Sequence, residues 1–236
     1  MPFVVTARTT PPRTRIVRRK PVQRRSRERV ERILGAAEQL VVRSGVQALS
    51  TRVVARRADV PVATLYQYFA DREAIMAALI ERHVSSMDGR IAEALATLPA
   101  YSVRSIVERT IAAYRADYRE HPSYVVLWFQ GRMSADIAAF IRARNEQLAA
   151  QFHRFATAVG LLRPETDPLV VWLCFELADR FLEVAYRHEL RGEDRVVDEG
   201  IEMIVSHLER YATAAGKAGV RARSLPRWQA PPQGDR

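Results

Sequence analysis

The densest stretch of recognition chemistry in this sequence is the run STRVVARRADVPVATLYQYFADR, residues 50–72. Gln67 carries an amide that donates and accepts together, the pattern that pairs bidentately with an adenine edge. Arg52 can donate to guanine or to a phosphate, and Thr64 can bond to either. Val62 and Ala63 are small and apolar, suited to close approach and to a thymine methyl. Ser50 and Thr51, beside Arg52, complete the candidate contact set at one end of the run. Nothing here resembles bond-making chemistry: these side chains read and hold a polyanion.

Such side chains must be carried on elements that fit a groove. Ser50 is a good N-cap, because its hydroxyl accepts from an otherwise orphan backbone N–H. Val54, Ala55 and Ala58 then give one small apolar side to a short helix. Asp59 stands where the chain must reverse, and Asp tolerates left-handed backbone better than most residues. Pro61 opens the next helix, where a missing N–H costs nothing. Leu65 and Phe69, four apart, form its inner face and are read as core. Two short helices joined by so tight a turn are the helix-turn-helix pattern, whose second helix enters the major groove. Arg56 and Arg57 are read as a solvated face.

The run Val54-Ala55-x-x-Ala58-x-Val60-x-x-x-Thr64-Leu65-Tyr66-x-Tyr68-Phe69-x-x-Arg72-Glu73 resembles the signature of the tetracycline-repressor (TetR) family, tightly over residues 28–83. The family usually has Gly at Asp59, Ser at Pro61 and Lys at Arg72. A turn-compatible residue, a helix-start residue and a cation are thereby kept. The resemblance implies that Tyr66 and Tyr68 reach the phosphate backbone through their hydroxyls, and that Arg72 does so from the start of the fourth helix. Tyr68 can equally be a packed aromatic of the hairpin core. The resemblance also implies a ligand pocket in a C-terminal helical body, where binding shifts the fourth helix and the spacing of two DNA heads.

The expected fold is all-α: an N-terminal three-helix helix-turn-helix DNA-binding domain plus a C-terminal helical ligand-binding and dimerisation domain. Net charge is +10 over 236 residues, concentrated at the ends. Residues 1–27 hold nine Lys/Arg and no acid. Residues 1–25, proline- and arginine-rich, read as a disordered basic arm. It either follows the minor groove beside the main contact or attracts nucleic acid in a general way. Residues 26–72 form the DNA-binding domain, with a first helix from about Ser26 to Ser44. Residues 73–215 form the effector-binding and dimerisation domain. Residues 216–236 read as a disordered basic tail, and no strand is expected anywhere.

Within the body, Ser102 caps one helix and Pro122 ends it. A short apolar helix spans 124–132, Ser134 caps a long one to about Val159, and Asp167-Pro168 opens another to about Glu189. A last helix covers about 194–214. Tyr114, Tyr118, Trp128, Phe129, Trp172 and Phe175, with the charged Glu176, Asp179 and Arg180, are the candidate ligand-binding residues. An apolar cavity with a few polar groups is the usual small-molecule site, although aromatics at helical spacing also make ordinary core, and the charged trio also fits an ion-pair network at a dimer seam. Leu169, Leu173, Leu177, Val184, Ile201, Ile204 and Leu208 stripe the last two helices, which suit a four-helix homodimer interface. Two heads related by a two-fold axis would read a pseudo-palindromic operator on double-stranded DNA.

Other classes fit less well. The five histidines are scattered, with no HExxH, no phosphate-cradling glycine loop and no GxSxG elbow, so no catalytic residue, metal site or cofactor is expected. Cys174 is the single cysteine, which fits a reducing compartment. No apolar run reaches membrane length, and a cytoplasmic location is expected. The reading is a homodimeric regulator, most simply a repressor released by an unidentified small molecule. The alternative is a ligand-independent DNA-binding factor that acts by occupancy or partner recruitment, helped by its basic tails.

Overall fold

The structure is a computed structural model, and it describes residues 24–130 and 135–221. The first helix, α1 (Arg24–Ser44), stops at Gly45, whose φ of +73° suits a residue without a side chain. A 3₁₀ turn (Val46–Ala48) leads into α2 (Thr51–Arg57) and α3 (Val62–Tyr68). The long α4 (Arg72–Ala96) follows, its N-terminus capped by Asp71, which accepts from the Ala74 amide at 2.8 Å.

The body comprises α5 (Val103–Glu120), α6 (Pro122–Val125), α7 (Ala135–Ala158), α8 (Pro168–Tyr186) and α9 (Asp194–Glu209). Ser102 and Asp167 cap α5 and α8 as their sequence positions predict. The apolar run after Pro122 departs from the simple short helix expected of it. It makes one α turn and then a π-helical stretch, Val126–Gln130. A row of apolar side chains carries no period that distinguishes the two windings, and π turns cluster at functional sites. The expected Ser134 cap lies outside the described residues.

Two further departures lie at the ends. The first helix begins at Arg24, two residues ahead of Ser26, so Arg24 and Arg25 are helical. The last long helix ends at Glu209 rather than near 214, and the chain then forms α10 (Ala214–Ala218) and a two-residue strand, β2 (Val220–Arg221). That strand pairs antiparallel with β1 (Ala100–Tyr101), correcting the expectation of no strand and of tail from Gly216 onward. Gly216 is locked in place: a Cβ there would lie 2.0 Å from the Leu161 carbonyl oxygen. Residues 1–23 and 222–236 of the expected arm and tail lie outside the described residues.

Two apolar cores hold the fold. The head core gathers Ile33, Leu40, Val54, Leu65, Phe69 and Ile75 with Val126, Leu127, Ile137 and Ile141 of the body, so the head does not close on itself. The body core runs through α5, α7, α8 and α9. The α8–α9 pair is packed closely at Gly200, where a Cβ would stand 2.3 Å from the Phe181 ring. Gly200→Ala therefore destabilises the fold by about 1.5 kcal/mol, because overpacked cores lose roughly that much. Thermal melts of the two proteins check it; an unchanged midpoint would refute the tight contact.

Candidate functional site

The turn between α2 and α3 follows the local signals. Ser50 accepts from the Val53 amide at 3.3 Å, Asp59 takes φ +52°, and the Val60 amide returns to the Ala55 carbonyl at 3.0 Å. Leu65 and Phe69 are fully buried, which fixes the roll of α3 about its axis. Val62, Ala63, Tyr66 and Gln67 consequently face outward and are exposed, with Thr64 half-buried beside them. Arg52 is exposed on α2, and the Tyr66 hydroxyl sits 3.1 Å from Thr51 Oγ1. Arg72, at the first position of α4, is partly exposed and donates to Glu73 at 3.0 Å. These side chains form one contiguous outer surface of polar and small groups.

Tyr68 does not belong to that surface. Its ring is buried in the head core and its hydroxyl lies 2.9 Å from Ser26 Oγ of α1. Of the two readings open for Tyr68, the geometry is that of packed core tied to the first helix.

In the body, Tyr118 is the centre of an aromatic cluster. Its ring lies 5.5 Å from Tyr124, 5.6 Å from Phe129, 5.0 Å from Tyr186 and 6.0 Å from Tyr114. Trp128 joins through Tyr124, and Trp172 and Phe175 pack on the same core. Burial pushes the Tyr118 and Tyr124 hydroxyls well above the ordinary tyrosine range. Asp179 is held close enough to these tyrosines to act on them electrostatically. Burial drives its carboxyl up to about 6, against the stabilising amide of Asn145 at 2.5 Å, and Glu176 pushes in the same upward direction. Arg180 stands apart from the cluster: it is exposed and pairs with Glu183 at 2.6 Å.

Several polar residues at the heart of the body carry no local sequence signal. Asp88 on α4 pairs with Arg144 on α7. Asp117 on α5 is wholly buried, with His83 Nε2 at 2.6 Å and Arg90 Nε at 3.2 Å, both from α4. Burial outweighs this carboxylate at His83 and lowers its pKa, so His83 is neutral at neutral pH. Among the described residues no set of three or more His, Cys, Asp or Glu side chains is placed to hold a metal ion. No described helix is long and apolar enough to cross a membrane.

A helix-turn-helix head with an exposed α3 face, joined by one long helix to a helical body, defines a DNA-binding transcriptional regulator. Residues 33–79 match the model of bacterial regulatory proteins of the tetR family, and residues 102–208 match the tetracyclin repressor-like C-terminal domain. The chain belongs to the TetR family of transcriptional regulators. It is 30% identical over 146 residues to the transcriptional repressor KstR of Rhodococcus jostii, covering 61% of this chain and 66% of that protein. With KstR of Mycobacterium tuberculosis the match spans only 29% of the relative's length. The uncharacterised regulator Rv1255c of Mycobacterium tuberculosis is 28% identical over 83% of this chain and 95% of its own. Among solved structures, a TetR-family regulator from Streptomyces coelicolor superposes with a TM-score of 0.61 at 26% identity, covering 78% of this chain and 97% of that one.

Proposed function

We propose that this chain is a homodimeric transcriptional repressor that leaves its operator when a small molecule enters the helical body. The observation that carries the DNA-binding half is the outward face of α3. Val62, Ala63, Thr64 and Gln67 read base edges there, Ser50, Thr51 and Arg52 flank them from α2, and Tyr66 and Arg72 hold phosphates. Base contacts specify and phosphate contacts position. The protein acts where the chromosome is, in the cytoplasm.

Dimerisation is supported by apolar side chains left in solvent on the last two long helices. Leu169, Leu173, Val184 and Met203 are 52%, 45%, 43% and 55% exposed. Such a face on α8 and α9 suits a four-helix interface with a second copy, and a two-fold dimer reads a pseudo-palindrome. The effector half rests on Asp179 and the Tyr114–Tyr118–Phe129 cluster: a carboxyl kept in apolar surroundings has a raised pKa, and such groups concentrate at binding sites. A ligand that prefers the non-binding conformation then shifts the equilibrium through α4.

Fluorescence anisotropy against salt tests the reading, with the protein's own upstream DNA compared with scrambled DNA. Gln67→Ala is expected to weaken the upstream complex about tenfold and to relax one base-pair preference, while Arg72→Ala weakens both DNAs alike and lowers the salt slope by about one. Equal losses on both DNAs for Gln67→Ala would remove α3 as the reading helix. Sedimentation of the same samples reports the dimer.

A further inference from the structure

The head meets the body at a cavity of about 330 Å³. Glu38 reaches it from α1, Arg82 and His83 from α4, and Ser123 and Tyr124 from α6. Glu38 ties the three helices together: one carboxylate oxygen accepts from Arg82 at 2.8 Å and the other from the Ser123 hydroxyl at 2.7 Å. We propose that this cavity is a second ligand site, which shares the Tyr124 ring with the aromatic cluster of the body but opens on its head side. It takes a small organic cation, an amidinium or ammonium on a short apolar skeleton, which binds by drawing Glu38 away from Arg82 and Ser123.

The sign of the ligand follows from what each exchange leaves behind. Arg82 also donates to Glu31 at 3.2 Å, so it keeps a carboxylate when Glu38 turns to a bound cation. A bound anion would take Arg82 and strand Glu38 beside further acids, and an unpaired charge there is costly. Charge around the cavity points the same way. In the ion pairs that border it, Glu31, Glu38, Asp117 and Glu120 face two arginines, Arg82 and Arg90, and His83 and His121 complete the ionisable groups of the lining. Both carboxylate oxygens of the wholly buried Asp117, behind the His83 wall, lack a partner in hydrogen-bond geometry.

The rest of the lining suits an organic ion rather than a bare one. The Tyr124 and His83 rings pack against each other and border the cavity with aromatic carbon. Leu79 and Leu127 supply an apolar floor for carbon, and the volume lies at the small end of ordinary ligand sites. Because Glu38 belongs to the head and Ser123 to the body, the occupant acts on the tie between them.

Isothermal titration calorimetry of the full chain with three isosteres decides it: benzamidine, neutral benzamide and anionic benzoate. Benzamidine is expected to bind at least tenfold tighter than benzamide, with benzoate silent. Glu38→Gln lowers benzamidine affinity at least tenfold. Ser86→Trp, a change at the exposed rim that spares the packed core, does the same by filling the mouth. Benzoate binding as well as benzamidine overturns the proposal, as does no benzamidine binding at millimolar concentration. Benzamidine affinity that falls with Asp179→Asn but ignores Glu38→Gln and Ser86→Trp also overturns it, since the cation would then occupy the body cluster.

Discussion

At pH 7.5 the Asp179→Asn protein unfolds at a higher temperature than the parent chain, and the difference vanishes as the pH falls to 4. The native carboxyl titrates near 6 instead of the ordinary 3.8, mainly because burial disfavours its charged form. The folded chain therefore holds this proton more firmly than the unfolded chain. Stability from the neutral form is complete below about 3.8 and is lost as the pH rises through 6. A shift of that size corresponds to roughly 2–3 kcal/mol at neutral pH. Asparagine keeps the shape and accepts from Asn145 without carrying the charge, so it recovers most of this energy. Melting curves at several pH values, read as the difference between the two proteins, make the comparison. Parallel curves with no pH-dependent gap would mean that Asp179 is not held in apolar surroundings. The stabilised variant is also expected to lose effector response, because the strain at Asp179 is what a polar ligand would relieve.

Removing Asp117 has the opposite effect. Asp117→Ala takes away the one carboxylate that His83 and Arg90 share in the α4–α5 seam. His83 is neutral and Arg90 keeps a second carboxylate, so the loss is that of a buried polar contact, about 2 kcal/mol. Arg90 retains Glu120 at 2.7 Å, which keeps the loss from growing larger. A midpoint about 6 °C lower is expected for a chain of this size. Asp117→Asn, which preserves volume and a polar group beside His83 and Arg90, falls between the two. If the alanine variant melts with the parent, the seam is held by its apolar contacts alone. Because α4 carries the head, operator affinity is expected to fall with stability in the same order.

The sequence announces structure wherever a single residue decides a local conformation. Ser50, Asp59 and Pro61 set the reading hairpin without help from distant residues, and Ser102 and Asp167 do the same for the starts of α5 and α8. Tyr68 illustrates the boundary: its spacing fits either a phosphate contact or the core, and only the approach of Ser26, forty-two residues away, settles its hydroxyl. Residues that pair across helices stay invisible to periodicity. Asp88 and Asp117 lie on apolar stripes where a carboxylate looks misplaced until Arg144, His83 and Arg90 are brought to them. The chain from Gly216 onward misleads for a related reason. Its glycines, prolines and arginines resemble a tail, yet the lack of a side chain is what lets Gly216 seat against Leu161.

The mixed membership of the head core bears on how such a regulator could be taken apart. Val126, Leu127, Ile137 and Ile141 lie beyond α4 in the chain yet pack with α1, α2 and α3. A hybrid protein spliced within α4 would deprive the transplanted head of four of its packing neighbours. Domain grafts between this chain and a relative should therefore carry those four positions with the head, or redesign them to match the new partner.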